Sequence, residues 1–255
     1  MKKCAIAIPV WKRLISENEF KSFVQCSIIL GKNPLYDILF VTKEGIDEAY
    51  YNSIWKLAGN DSNAKFIKFP EKCFESRLDY SYLLSSKEFY SKFTSYENIL
   101  IYQLDAWVFS DELSEWCDKG YDYVGAPWCH LCKKGNCHEN FVSDSFVGNG
   151  GLSLRRVDSF IKNLPIEKFE NNIFTNIVNE DLYISLISNF KKPNCVEASR
   201  FSVETFASQL IKNNEGRLPF GFHGLKVYDR ELFEKLTNET FAGNEIINKI
   251  KVSLI

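Results

Sequence analysis

The fold is decided by two apolar runs, CAIAIPV at residues 4–10 and DILFVT at residues 37–42. Short runs of this kind are typical of buried parallel strands. Between them, Ser16 and Glu19 have the spacing of a capping box, which predicts a helix that continues to about Leu30. A strand, a helix and a second strand in this order predict a βαβ unit.

The same alternation of strands and helices continues along the chain. Further strands are predicted at residues 64–69, 98–103, 121–126, 151–156 and 195–198, and further helices at residues 46–58, 81–93, 179–190 and from Asn244 onward. This order predicts an α/β fold with a mostly parallel, doubly wound sheet and helices on both faces. The sequence contains no internal repeat and no linker, so residues 1–255 are predicted to form a single domain.

Composition narrows the class of protein. The chain has 255 residues and a formal net charge of −2. Nucleic-acid-binding proteins carry a basic excess or stripe, so the charge argues against that class. The apolar run at the N-terminus is too short for a signal peptide or a membrane span, and no later run is long enough to cross a bilayer. We expect a soluble cytoplasmic protein, with peripheral contact of its C-terminal segment with the inner face of the membrane as an alternative.

The first candidate for chemistry is the Gln103-Leu-Asp105 segment, where the apolar strand at residues 98–103 ends. Open α/β sheets bind ligands at the carboxyl ends of their strands, and a carboxylate there can hold a divalent cation. The structural alternative is that Asp105 caps the following turn, and the spacing fits both interpretations equally well.

Three later motifs are each weak when taken alone. Residues 147–155, VGNGGLSLR, contain three glycines, which allow either a close approach to a ligand or a tight turn before a strand. Glu180 and Asp181 stand in the first turn of a predicted helix, where they either complement the helix dipole or provide a general base. His223 lies in a Phe-His-Gly segment, and a single histidine is more often structural than a ligand.

Taken in order, these four motifs resemble a family of bacterial glycosyltransferase-like domains with little characterised function. More distantly, they are similar to GT-A glycosyltransferases, including glycogenin-like enzymes. The resemblance extends from the first strand to about Gly224 and includes residues 121–128 and 201–204. It implies a GT-A, Rossmann-like domain with a nucleotide-binding half at residues 1–110 and an acceptor-side half at residues 111–255.

The resemblance also implies a metal site. Gln103 and Asp105 occupy the place of the Asp-x-Asp motif, whose last Asp binds the metal, Mn or Mg, that bridges the donor diphosphate. Here Gln103 replaces the first Asp and leaves one anionic ligand fewer, so a weakly bound or dispensable metal is expected. His223 resembles the late histidine that completes this metal site.

The other expected site residues follow from the same resemblance. The nucleotide is expected against Pro9, Val10 and Thr42, the donor sugar or acceptor against Asn149, Gly150 and Gly151, and the catalytic base at Asp181 or Glu180, with Asp181 slightly preferred. If the reaction retains the anomeric configuration, no base is required and the acidic pair would orient sugar hydroxyls.

A cluster of cysteines and histidines lies outside this pattern. Cys129, Cys132, Cys137 and His138 have the local spacing of a small zinc knuckle, in which three thiolates and one imidazole form a closed structural site. Val142 stands where the fourth ligand of a complete knuckle would fall, so a histidine of the cluster would have to substitute. The alternative is a loop of reduced thiols.

The sequence therefore predicts a glycosyltransferase that uses a nucleotide-sugar donor, with a UDP-sugar expected. Its acceptor is expected to be a glycan, lipid-linked or protein-linked, in the synthesis of a cell-surface polysaccharide. One alternative is a sugar nucleotidyltransferase. The sequence after the first strand has no glycine-rich, basic phosphate loop, which argues against this alternative. The other is a zinc-stabilised, non-enzymatic binding module centred on residues 129–138.

Overall fold

The computed structural model describes residues 1–14, 16–128, 147–164, 179–187 and 189–246. The strands are β1 (Lys2–Pro9), β2 (Tyr36–Lys43), β3 (Lys65–Phe69), β4 (Tyr96–Tyr102), β5 (Ala106–Val108), β6 (Tyr123–Pro127), β7 (Val147–Arg156), β8 (Ser202–Val203) and β9 (Gly221–His223). The helices are α1 (Glu17–Leu30), α2 (Glu48–Leu57), α3 (Arg77–Leu84), α4 (Lys87–Ser91), α5 (Leu113–Asp118), α6 (Val157–Asn163), α7 (Glu180–Ile187), α8 (Cys195–Phe201), α9 (Ala207–Asn213), α10 (Leu225–Tyr228) and α11 (Arg230–Thr240), with a 3-10 turn at Glu71–Phe74. The predicted zinc cluster and most of the predicted C-terminal helix lie outside the described residues. Within these ranges, no helix is both long and apolar enough to cross a membrane.

Six of the described strands form one sheet in the order β3-β2-β1-β4-β7-β6. The first four pair in parallel, whereas β7 is antiparallel to both β4 and β6. The mostly parallel sheet predicted from the sequence is therefore confirmed. Strands β2 and β3 extend the sheet on one side of β1, whereas β4 joins on its other side. The strand order therefore reverses between β1 and β4. Open α/β sheets leave a crevice at the carboxyl ends of the strands at such a point. A second, smaller sheet has the order β5-β9-β8.

Helices cover both faces of the large sheet. Along β1, Cys4, Ile6 and Ile8 belong to one buried cluster, whereas Ala5 and Ala7 belong to another. Helices α1 and α2 contribute to the first cluster, and α4 and α6 contribute to the second. Because successive side chains of a strand point to opposite faces, β1 needs apolar residues at every position. This explains why it reads as a continuous apolar run.

The predicted capping box is present at the start of α1. The Ser16 Oγ accepts a hydrogen bond from the backbone N–H of Glu19 at 3.2 Å, and Glu19 Oε2 accepts one from the N–H of Ser16 at 3.0 Å. These bonds satisfy N–H groups that have no partner within the helix, so they fix where α1 begins.

Two sequence predictions of local structure are wrong, and a helix cap explains each. Residues 195–198, predicted as a strand, are the beginning of α8, because the Asn194 side chain accepts the N–H of Glu197 at 2.9 Å. Residues 81–93, predicted as one helix, are divided between α3 and α4, because Ser86 caps a new helix.

The predicted strand at residues 151–156 is longer than expected. Strand β7 begins at Val147, so the glycine-rich segment lies inside the strand and not in a turn before it. Its whole length except the last residue is buried.

A buried ion pair fastens α7 to β7. Arg155 is fully buried, and its Nη2 lies 3.1 Å from Glu180 Oε1. Its Nη1 donates to the hydroxyl of Tyr90 at 2.9 Å, and its Nε donates to Ser153 Oγ at 3.0 Å. The Ser81 hydroxyl donates to the other carboxylate oxygen of Glu180 at 3.1 Å. Buried charges are costly unless they are paired and hydrogen-bonded, and these contacts meet that requirement.

Arg155→Met is expected to lower the free energy of unfolding by about 3–5 kcal/mol, because it leaves the Glu180 carboxylate buried without its counter-charge. In the double variant R155M/E180Q, the remaining amide is neutral and can still accept the Ser81 hydroxyl, so part of the loss should be recovered. Urea unfolding of the wild type and both variants measures the difference. A double variant no more stable than R155M would show that the unpaired carboxylate is not the source of the loss.

Candidate active site

The turn between β4 and β5 carries Gln103 and Asp105. The N–H of Gln103 donates to the carbonyl of Gly151 at 2.9 Å, and the N–H of Ala106 donates to the carbonyl of Gln103 at 2.9 Å. Strand β5 pairs antiparallel with β9, and in this register Ala106 lies opposite His223. The pairing brings Asp105 and His223, which are far apart in the sequence, next to each other.

His223 is the centre of this site. Its Nε2 lies 3.1 Å from Asp105 Oδ1 and 3.2 Å from Gln103 Oε1. On the other side of the ring, Nδ1 lies 3.6 Å from Glu204 Oε1, which is a charge contact and too long for a hydrogen bond. The other carboxylate oxygen of Glu204 accepts from the side-chain amide of Asn149. Two of the predicted site residues, Gln103 and Asp105, therefore converge on one imidazole nitrogen of a third, His223. Glu204, to which the sequence analysis assigns no role, contacts the opposite side of the ring.

These contacts determine the charge of the imidazole ring. Burial disfavours the imidazolium, but Asp105, assisted by Glu204, outweighs it and raises the pKa of His223 to about 10. Partial desolvation also disfavours the carboxylate of Asp105, yet His223 lowers the pKa of that group. At neutral pH the pair is an imidazolium and a carboxylate. The Asp105 side chain is 56% exposed, so a ligand can reach it.

Two consecutive glycines of β7 leave room for the groups around them. A Cβ atom on Gly151 would lie 2.0 Å from His223 Nε2, and a Cβ atom on Gly150 would lie 3.0 Å from the Cβ atom of Asp181. Because neighbouring residues of a strand face opposite sides, His223 approaches β7 from one side and Asp181 approaches it from the other. The glycine-rich segment is thus close to two of the predicted functional groups.

The two candidates for a catalytic base have different surroundings. Glu180 is the buried partner of Arg155. Asp181 Oδ2 accepts the N–H of Gly150 at 2.8 Å, and its Oδ1 accepts the N–H of Leu182 at 2.7 Å. Burial and the neighbouring charge of Glu180 nevertheless raise the pKa of Asp181 to about 7. A carboxyl group with such a pKa can exchange a proton near neutral pH, which fits general acid–base chemistry.

A cavity of about 510 Å³ lies at the carboxyl ends of β1 and β4, where the strand order reverses. Four of the residues predicted to contact the donor line it, namely Pro9, Val10, Gln103 and Asp105. Thr42 is not brought to this cavity. Its side chain is fully buried in β2 and is not part of the wall formed by the described residues.

Sequence reasoning missed an aromatic and basic part of the cavity wall. The rings of Trp11, Phe74 and Tyr80 lie there with pairwise centroid distances of 6.4 Å, and Lys12 and Arg77 also line the cavity. The only signal in the sequence was Trp11 followed by Lys12, an aromatic and a basic residue just after the first strand. The turn and helix that contribute the other side chains carry no motif.

Gln103, Asp105 and His223 offer a donor set of the kind that suits a divalent cation. Carboxylate and amide oxygens suit Mg²⁺ and Mn²⁺, and a neutral imidazole is a common metal ligand. Glu204 stands behind Nδ1, where metal-binding histidines usually have a carboxylate or carbonyl partner. Among the described residues, no group of three or more His, Cys, Asp or Glu side chains could hold a metal ion. The amide oxygen of Gln103 is therefore needed to complete a set of three protein donors.

A model of the family described as protein of unknown function (DUF5672) matches residues 63–223. A comparison with curated proteins found no match.

Solved structures of glycosyltransferases share the fold of this chain. The galactosyltransferase LgtC, in complex with donor and acceptor sugar analogs, has a TM-score of 0.60 and 12% identity over 92% of this chain and 96% of that chain. The apo form of the glycosyltransferase GlyE from Streptococcus pneumoniae TIGR4 has a TM-score of 0.53 and 10% identity, over 88% of this chain and 54% of that chain. The apo structure of the bifunctional glycosyltransferase WbbM has a TM-score of 0.54 and 12% identity, over 88% of this chain and 46% of that chain. Identities this low show the fold alone, and the GT-A fold predicted from the sequence is confirmed.

Gly151→Ala is expected to lower the free energy of unfolding by about 1–3 kcal/mol, because the new methyl group overlaps the imidazole of His223 and forces a shift. In a His223→Ala background that space is free, so the same substitution should cost much less. Urea unfolding of the four proteins gives the coupling energy directly. Equal costs in the two backgrounds would mean that His223 does not fill the space beside Gly151.

The raised pKa of Asp181 predicts a change of stability with pH. Its folded-state pKa of about 7 lies above the value of about 3.9 for an unfolded chain, so its contribution to stability is full below about pH 4 and is lost as the pH rises towards 7 and above. Asp181→Asn stays neutral, so its free energy of unfolding relative to the wild type should increase between pH 5 and pH 8.

The control is Asp61→Asn, which changes an exposed aspartate away from the site. A difference between D181N and the wild type that is the same at both pH values would show that Asp181 has an ordinary pKa.

Proposed function

Because this chain belongs to the DUF5672 family, whose function is unknown, and has the GT-A fold, we propose that it is a glycosyltransferase. It would move a sugar from a nucleotide-diphosphate donor to a hydroxyl group of its acceptor. Fold likeness alone does not establish an activity. The observation that carries the proposal is the convergence of Gln103, Asp105 and His223 at the edge of the cavity between the ends of β1 and β4.

The cavity suits a nucleotide-sugar in size and in chemistry. Its volume of about 510 Å³ lies within the usual range for small-molecule sites. The aromatic rings on one wall, including Trp11, offer flat faces to a nucleobase, and Lys12 and Arg77 offer positive charge to a diphosphate. A smaller adjoining cavity of about 190 Å³ also reaches Asp105 and brings Lys226 to the same region. A UDP-sugar is the donor that we expect.

Asp105, Gln103 and His223 would hold the divalent cation, Mn or Mg, that the fold implies. When bound, such a cation neutralises the diphosphate and stabilises the charge that develops as it leaves. His223 must give up its Nε2 proton to serve as a ligand, so metal binding and proton release are linked. Because Gln103 is neutral, the protein supplies a single carboxylate, and we expect the phosphate oxygens of the donor to contribute to metal affinity.

Within the acidic pair, we assign Asp181 to the reaction and Glu180 to the scaffold. Glu180 is held in a buried ion pair with Arg155, whereas the raised pKa of Asp181 suits proton exchange near neutral pH. In an inverting reaction, Asp181 would accept the proton of the attacking hydroxyl. In a retaining reaction no such base is needed, and the same carboxylate would orient a sugar hydroxyl beside the backbone of Gly150.

The acceptor class and the pathway stay predictions from the sequence. We propose a glycan acceptor, lipid-linked or protein-linked, in the synthesis of a cell-surface polysaccharide.

UDP with Mn²⁺ is expected to raise the Tm of the wild type by about 5–10 °C at roughly 100 times its Kd, because ligand binding stabilises the folded state by mass action. GDP and CMP should raise it less. Asp105→Ala should remove the part of the shift that depends on Mn²⁺, whereas the exposed control Asp61→Ala should keep it. Gln103→Asp adds a second carboxylate and should lower the Mn²⁺ concentration that is needed. Differential scanning fluorimetry measures all of these shifts.

A nucleotide-induced shift that is independent of both Mn²⁺ and Asp105 would contradict the metal assignment. No shift with any of the three nucleotides would contradict the proposed function and would favour the zinc-stabilised binding module.

A further inference from the structure

Three large apolar side chains are exposed beside the candidate site. The exposed fractions are 53% for Phe206, 82% for Val227 and 57% for Tyr228. Phe206 follows Glu204 by two residues, and the other two follow His223 within five residues. Because Glu204 and His223 contact each other, both exposed segments leave the same point of the site. Scattered exposed apolar residues are normal, but a group of them at one place calls for an explanation.

A hydrogen bond joins the two segments that carry these side chains. Ser208, in the first turn of α9, donates to Asp229 Oδ2 at 2.8 Å. Phe206 lies directly before α9, and Tyr228 is the last residue of α10, directly before Asp229. The exposed rings therefore stand on two segments that are tied to each other and not on independent loops.

The backbone of Phe206 is in the left-handed region, with φ 55° and ψ 30°. That conformation costs an L-residue energy, and it is uncommon for a bulky aromatic side chain. Burial in the core does not account for the residue, because half of its side chain is exposed. Strained residues of this kind concentrate at sites that bind ligands.

Tyr228 also has charged groups near its hydroxyl. The charge of Glu204 raises the pKa of Tyr228, and the charge of Arg77 opposes that change, so both groups act on this hydroxyl. Arg77 lines the large cavity, and Glu204 contacts His223. Tyr228 therefore lies within electrostatic reach of one residue of the cavity wall and of one residue of the His223 site.

From these observations we propose that Phe206, Val227 and Tyr228 bind the acceptor sugar. The C–H face of a pyranose packs against aromatic rings, and the exposed hydroxyl of Tyr228 binds a sugar hydroxyl. A carbohydrate fits because apolar faces here are combined with a hydrogen-bonding hydroxyl and lie beside the His223 site. This inference rests on the proposed function, since only a transferase has an acceptor.

The test uses saturation-transfer NMR with the full chain, UDP and Mn²⁺. The probes are methyl β-glucoside, methyl β-galactoside and methyl N-acetyl-β-glucosaminide. We expect saturation transfer to the ring C–H protons of at least one probe for the wild type and for Leu57→Ala, which alters an exposed apolar residue at the end of α2. The same probe should bind about fivefold to tenfold more weakly to Phe206→Asn and to Tyr228→Ala, because each variant loses one aromatic contact.

Phe206→Asn gives a second readout. Asparagine adopts the left-handed conformation more easily than phenylalanine, so this variant should have a Tm about 2–4 °C above that of the wild type. Weaker sugar binding together with higher stability distinguishes a binding residue from a merely structural one. Both variants should keep the shift of Tm caused by UDP, which shows that the donor site is intact.

The inference is overturned if probe binding persists in both variants, or if no probe binds the wild type although UDP still raises its Tm. In those cases the proposed function stands. If UDP gives no shift of Tm, the proposed function fails, and this inference fails with it.

Discussion

The site depends on the absence of side chains at two consecutive positions of β7. The imidazole of His223 occupies the space that a side chain on Gly151 would fill, and the carboxyl group of Asp181 lies against Gly150 from the other side. The carbonyl of Gly151 also accepts the N–H of Gln103, which fixes the turn that carries Asp105. A single short segment of backbone therefore positions groups from three distant parts of the sequence. Side chains at these two positions would separate those parts.

The acidic pair at the start of α7 shows how surroundings can give similar groups different roles. Glu180 and Asp181 are adjacent carboxylic acids, yet Glu180 lies in a buried ion pair with Arg155, while Asp181 accepts hydrogen bonds from backbone N–H groups. The ion pair holds the helix in place, and the negative charge of Glu180 helps to keep a proton on Asp181. Glu180 and the proposed base Asp181 are thus electrostatically coupled, and removing one changes the pKa of the other.

The sequence was sufficient for features with local causes and insufficient for those set by strand pairing. The apolar run of β1 and the capping box at Ser16 depend on nearby residues, and both were predicted. Asp105 and His223 were predicted because their motifs occur in a recognisable order. The contact of Glu204 with His223 depends on the packing of β8 beside β9, for which the sequence has no local signal. Thr42 was expected near the nucleotide, but a strand that is buried on both faces has no alternation of apolar and polar residues to show which way each side chain points.

The position of β7 has a consequence for how the chain acquires its structure during synthesis. In the described sheet, β7 lies between β4 and β6, although β6 precedes it in the sequence. The first four strands can pair as they emerge from the ribosome, but β6 joins this sheet through β7 and has to wait for it. Until Val147 and the residues after it are made, the apolar strand β4 is an unpaired edge, which can pair with other chains. The glycine-bearing strand that completes the candidate site is therefore also the strand that covers this open edge of the nascent chain.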